Sequence, residues 1–222
     1  MWSIFLMPLR VPCAGPKDVL GLIMAGGRSS RMGTDKALLE IGGQAMALRL
    51  ANTMAPLVDQ VIISGDPDKH ASLGCEVWEA DRTDIGTGTR GPMQGIAAAL
   101  RRSTYEFNLV CACDLAYMTR EWMSYLLTTA RQSEADMVMG LGLCIVYRKR
   151  AVEGIDRALK EGAYKFKQTM VHLSYVLIPE DVRQRYDPDG VLFLDVDDPT
   201  EFAAAKAWLE GRERGATSAR SA

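Results

Sequence analysis

Short apolar runs alternate with longer amphipathic stretches along most of the chain, and the two periods assign its elements. Val19–Met24 is an apolar run bounded by Gly26-Gly27, the pattern of a strand buried on both faces. Ala45–Ala55 has helical spacing with no breaker until Pro56, and Gln60–Ser64 (QVIIS) is a second strand ended by Gly65-Asp66-Pro67. Glu76–Glu79 predicts a third strand, before the loop DRTDIGTGTRGP. Met93–Arg102 is an alanine-rich helix. Phe107–Cys113 (FNLVCAC) is expected to be the most strongly buried strand, with Asp114 directly after it. Glu121–Arg131 and Ala151–Leu159 read as helices, and Met137–Met139 and Cys144–Tyr147 as strands. Val191–Val196 (VLFLDV) predicts a late strand, followed by a helix over Thr200–Leu209. Strand and helix in alternation argue a single α/β domain. It should be one Rossmann-like, doubly wound, mostly parallel sheet with helices on both faces and ligands at the carboxyl ends of its strands.

The regular pattern spans 18–210. Residues 1–17 are expected to be an extension, either unstructured or preceding the true start. Their apolar stretch has no basic residue before it, is interrupted by Pro8 and Pro12, and is too short to span a bilayer. The tail 211–222 has no apolar period and is expected to be disordered. With 222 residues, 48% hydrophobic and 24% charged, the chain can bury one substantial core. A net charge of −2 supplies no global field toward nucleic acid or an anionic membrane, so any anion site must be local. Five cysteines without a C-x-x-C pair argue against a disulfide framework or zinc site, and a reducing cytoplasmic setting fits them better. His70 and His172 lie far apart with no partner motif, and both read as structural or surface residues.

One stretch departs from ordinary core patterning. LIMAGGRSSRMGTDKALLE places adjacent glycines after an apolar strand, then Arg28, Arg31 and Lys36. Free backbone N–H groups at a strand end, the following helix dipole and glycine's open backbone together suit a polyphosphate. The competing reading is a strand-to-helix turn with a solvated basic face. Gly33 is followed by Thr34-Asp35, so this is not a Walker loop, and the spacing is not G-x-G-x-x-G. Asp114 has two readings as well, a metal-holding carboxylate or a helix N-cap.

The same stretch resembles the nucleotidyltransferase signature A-G-G-x-S-x-R-M-G-x-D-K, carried here by Ala25, Gly26, Gly27, Ser29, Arg31, Met32, Gly33, Asp35 and Lys36. Three further pieces resemble one branch, the molybdenum cofactor guanylyltransferases. They are the turn Gly91-Pro92-Met93-Gln94-Gly95, the strand end CACD (Cys111–Asp114) and the closing segment LDVDDPTEF (Leu194–Phe202). The pieces occur in the family's order from about Leu20 to Leu209. The resemblance implies a nucleotide-diphospho-sugar transferase-like fold and transfer of GMP from GTP to the phosphate of molybdopterin with Mg²⁺. It also implies contact with molybdenum-cofactor insertion or acceptor proteins.

Residue by residue, backbone amides at Met24, Ala25, Gly26 and Gly27 would cradle the triphosphate, while Arg31 and Lys36 would balance charge on the leaving pyrophosphate. Asp114 would hold Mg²⁺, with Gly91, Pro92 and Gly95 near the base. Ser64 and Asp81 would line the nucleotide pocket, although Ser64 reads equally as a strand-end hydroxyl. On the acceptor side stand Lys165 and Lys167, which also suit a solvated helix face, and Asp195. The family's closing asparagines are Asp195 and Asp197 here. On a strand these two share a face, and Asp197 is expected to join Asp114 on the metal, with Asp195 nearer the acceptor or holding its neighbour in place. The loop around Gly140–Cys144 is short and lacks the family's proline. Two other partner sets therefore stay open, a cytidylyltransferase on molybdopterin and a guanylyltransferase on a cobamide precursor, as does a catalytically inactive nucleotide-binding regulator. The A-G-G and G-P-x-x-G sequences favour guanine, Asp35-Lys36 favours the molybdenum branch, and Lys36 with Asp114 favours an enzyme.

Overall fold

The computed structural model describes residues 18–25, 34–79 and 92–220, the side chains of the final helix only through Arg212. The expectations placed on Gly26, Gly27, Arg31, Asp81, Gly91 and the 1–17 extension lie outside the described residues. Nine strands and eight α-helices are described. In chain order they are β1 (Val19–Met24), the hairpin β2 (Glu40–Ile41) and β3 (Gln44–Ala45), α1 (Met46–Met54), β4 (Gln60–Gly65), α2 (Pro67–His70) and β5 (Glu76–Glu79). There follow α3 (Pro92–Arg102), β6 (Phe107–Ala112), α4 (Arg120–Gln132), β7 (Met137–Met139), β8 (Cys144–Arg148) and α5 (Ala151–Lys160). The last are α6 (Phe166–Thr169), β9 (Tyr175–Leu177), α7 (Glu180–Tyr186) and α8 (Pro199–Arg220).

Seven strands form one sheet in the order β5-β4-β1-β6-β8-β7-β9. Only β8 runs against its neighbours, pairing antiparallel with β6 and β7, so the sheet is mostly parallel as expected. The apolar runs of β1 and β6 are buried almost throughout because helices cover both faces. One face packs Leu50 and Met54 of α1 and Trp122, Met123 and Leu126 of α4. The other packs Met93, Ile96 and Leu100 of α3 and Ile155 of α5. Among the described residues, no helix is long and apolar enough to cross a membrane.

Two expectations about the C-terminal part are corrected. Val191–Val196 is not a strand. Asp187 Oδ1 accepts from Val191 N at 2.8 Å and Leu192 N at 2.9 Å, and Leu194 N closes a turn on Val191 O at 3.0 Å. Those donors are consumed locally, and β9 takes the sheet edge beside β7 instead. The apolar residues serve as anchors, with Leu192 and Val196 buried and Leu194 exposed. The second correction concerns the tail. Helix α8 runs through Arg220, past Leu209 and into the segment expected to be disordered. Glutamate, arginine and alanine propagate a helix without an apolar stripe, so the sequence there shows no helical period. Its first half docks through buried Ala205 and through Trp208, whose ring meets Tyr117 edge-on at 5.2 Å.

Candidate active site

The chain reverses its direction of strand addition at β1, with β4 on one side and β6 on the other. A doubly wound sheet has its ligand crevice at such a reversal, outside the carboxyl ends of the strands. The backbone there is tightly laced. Ala25 N donates to Ser64 O at 2.8 Å and Cys113 N to Met24 O at 3.1 Å. Helix α3 begins beside this edge, where a Cβ on Gly95 would lie 2.9 Å from Met24 Cε. Glycine there lets the first turn of α3, which opens on Pro92, approach the end of β1.

Lys36 reaches the crevice from a single 3₁₀ turn, Lys36–Leu38. Asp35 caps this turn, its side chain accepting from Ala37 N at 3.0 Å. The Lys36 ammonium lies 3.6 Å from Asp114 Oδ2 and is hydrogen-bonded to Asp197 Oδ1. Val196 N donates to Asp114 O at 3.0 Å, which ties the segment bearing Asp195 and Asp197 to the turn after β6. The two aspartates thus meet Asp114 through a docked turn, not through a shared strand face. Asp198 holds the start of α8 by accepting from Thr200 N and Glu201 N, and Glu201 returns the contact to Asp197 N and Asp198 N. That reciprocal capping frees the Asp197 carboxylate to face Lys36. Asp114 caps no helix, because α4 begins at Arg120 with Thr119 as its cap.

Among the described residues, Asp114, Asp195 and Asp197 act electrostatically on one another and on Lys36. Burial raises the Asp114 carboxyl above the ordinary carboxylate range, with Lys36 pulling it back and Asp197 pushing it further up. Burial also raises Asp195, reinforced by the charges of Asp114 and Asp197. Burial works against the Lys36 ammonium, but its hydrogen bond to Asp197 and the charges of Asp114 and Asp197 outweigh this and raise its pKa. Among the described residues, no group of three or more His, Cys, Asp or Glu side chains is placed to hold a metal ion by itself. Asp114 and Asp197 are the carboxylates that could take a share of an ion such as Mg²⁺, which is commonly bound by one or two carboxylates plus substrate phosphate oxygens.

The remaining expected residues divide. Met24, Ala25, Pro92 and Gly95 line the strand ends and the start of α3. Ser64 is opposite Met24 in register but only 2% exposed, which suits the strand-end reading. Lys165 and Lys167 are exposed around α6, and neither pairs with the carboxylate cluster. Two residues in the support of the site were not anticipated. Glu201 was detectable from the Asp198-to-Glu201 capping spacing. His70, which contacts Asp35, carried no local signal.

The MobA-like NTP transferase domain model matches residues 21–176, most of the chain. The chain belongs to this family. It is therefore a nucleotidyltransferase, and the crevice at β1 and β6 is its candidate active site. It is 34% identical over 207 residues to a Pelotomaculum thermopropionicum protein named Probable molybdenum cofactor guanylyltransferase, covering 88% of this chain and 95% of that one. It is 29% identical to the molybdenum cofactor guanylyltransferase of Desulfosudis oleivorans, over 86% of this chain and 96% of the relative. The transferase also resembles the crystal structure of molybdopterin-guanine dinucleotide biosynthesis protein A from Archaeoglobus fulgidus. The TM-score is 0.71 at 20% identity, covering 86% of this chain and 99% of that one, a likeness of fold.

Proposed function

We propose that this transferase moves GMP from GTP onto the terminal phosphate of molybdopterin, with Mg²⁺, and releases pyrophosphate. The supporting observation is the Lys36 ammonium held between Asp114 and Asp197 at the sheet's switch point. A phosphate oxygen of the acceptor attacks the α-phosphorus of GTP in line, and the bond from that phosphorus to the bridging oxygen of the β-phosphate breaks. Both reactants are anions, so positioning and charge neutralisation carry most of the catalysis. Lys36 stabilises the charge that develops on the departing pyrophosphate, and Arg31 is assigned the same role from the signature. Asp114 and Asp197 would hold Mg²⁺, which as a Lewis acid polarises the reacting phosphoryl group. Gly91, Pro92 and Gly95 are assigned to the guanine side. Asp195 is assigned to the acceptor side, with Lys165 and Lys167 available to a larger acceptor or to an acceptor protein. The described cysteines are free, which fits a reducing cytoplasm.

Pyrophosphate release with each of the four nucleoside triphosphates, Mg²⁺ and molybdopterin tests the reading. GTP is expected to exceed the others by roughly tenfold or more in kcat/KM, because wrong bases leave buried polar groups unpaired. Equal use of CTP moves the chain to the cytidylyl branch. Release only with a cobamide precursor moves it to that acceptor, and release with neither acceptor leaves a nucleotide-binding regulator.

A further inference from the structure

His70 ends α2, and its side chain is 1% exposed. Asp66 N–H donates to its Nδ1 at 3.1 Å, so that nitrogen carries no proton and Nε2 is the donor. Nε2 faces Asp35 Oδ2 at 3.1 Å. The other oxygen of the same carboxylate, Oδ1, accepts from Ala37 N and caps the turn that begins with Lys36. The strand end accommodates the ring closely. A Cβ on Gly65, the last residue of β4, would lie 2.3 Å from His70 Nδ1 and 2.6 Å from Cε1. An apolar side chain would fill this volume without the cost of burying two ring nitrogens. Both nitrogens are engaged, and neither is left to touch a substrate.

We propose that His70 is a positioning residue for nucleotidyl transfer. Its Nε2–H orients the Asp35 carboxylate, which fixes the capped turn and so aims the Lys36 ammonium at the triphosphate crevice. The chain of contacts runs from the end of β4 through His70 and Asp35 to Lys36, across 35 residues of sequence. The inference rests on the role of Lys36 in the proposed function.

Two substitutions separate positioning from packing. In His70→Asn the amide oxygen can replace Nδ1 as acceptor for Asp66 N–H, but nothing reaches Asp35. In His70→Gln the amide nitrogen can replace Nε2 as donor to Asp35. Pyrophosphate release is measured with GTP, Mg²⁺ and molybdopterin. The rate of Lys36 acetylation by acetic anhydride, relative to the other lysines, is read by peptide mass spectrometry. His70→Asn is expected to lower kcat by roughly 10- to 100-fold, the scale of a misplaced catalytic group, with KM for GTP changed by less than about threefold. Lys36 should be acetylated several-fold faster in that variant. His70→Gln should recover most of the rate and the wild-type labelling. Equal kcat losses in both variants, with Lys36 labelled at the wild-type rate, assign His70 to packing and overturn the proposal. Wild-type kcat in His70→Asn also overturns it. A wild-type protein that releases no pyrophosphate contradicts the proposed function instead, and the labelling comparison still decides the role of His70.

Discussion

Lys36→Met removes the ammonium while keeping most of the apolar stem. The side chain is 12% exposed, against 25% for Asp114 and 34% for Asp197. At the 3.6 Å separation from Asp114, a unit pair in an effective dielectric of about 20 gains roughly 4–5 kcal/mol before desolvation. Burial of the lysine and water at the carboxylates offset much of this. A net loss of roughly 1–3 kcal/mol is expected, between the values for exposed and fully buried pairs. At roughly 2–4 °C per kcal/mol, the metal-free protein should melt several degrees lower. This differs from a solvated lysine beside a glycine turn, whose removal leaves stability unchanged. Mg²⁺ with GTP should restore much of the melting temperature by neutralising the exposed carboxylates. It should not restore turnover, because the charge on the leaving group lacks its preorganised partner; a fall of about 10²- to 10³-fold is expected. The assay is steady-state pyrophosphate release well below the melting transition, beside a thermal melt with and without Mg²⁺ and GTP. Turnover within about threefold of wild type removes Lys36 from the chemistry.

Mg²⁺ together with GTP should raise the wild-type melting temperature more than GTP alone, and Asp197→Ala should erase that increment while keeping the fold. An unchanged increment leaves the ion to Asp114 without Asp197. The increment should also shrink as pH falls into the range between the ordinary carboxylate values and the raised ones. Asp114 and Asp195 have raised pKa values, so the metal-free folded state binds more protons than the unfolded chain between the ordinary and the raised values. Stability of the metal-free protein gains from acidification through that window, and the ion must displace the same protons. A thermal melt series across pH checks the sign, and a constant increment contradicts it.

Residues whose role is local could be read from the chain. β1, β4 and β6 are mainly apolar stretches closed by glycine or aspartate, so their approximate bounds and the crevice at their carboxyl ends follow from pattern. Lys36 stands in a dense signature and Asp114 at the end of a strand, and the structure brings them together. The Asp195–Asp197 pair was expected on a strand, yet the backbone donors of Val191 and Leu192 are taken by Asp187. A side-chain acceptor several residues upstream leaves no mark on an alternating pattern. β9 is only three residues long, Tyr-Val-Leu, too short a run to show a period. His70 depends on a contact across 35 residues, which only the fold creates.

In the proposed reaction the β1–β6 crevice performs metal-assisted nucleotidyl transfer through Asp114. Asp114→Asn tests it, because asparagine preserves the side chain's shape. The main-chain carbonyl that accepts from Ala116 and Val196 is untouched, and Thr119 still caps α4. The measurement is the initial rate of pyrophosphate release from GTP with Mg²⁺ and molybdopterin, on protein whose melting temperature lies within about 2 °C of wild type. A loss of roughly 10²-fold or more in rate is predicted. A rate equal to wild type in that intact variant contradicts the account.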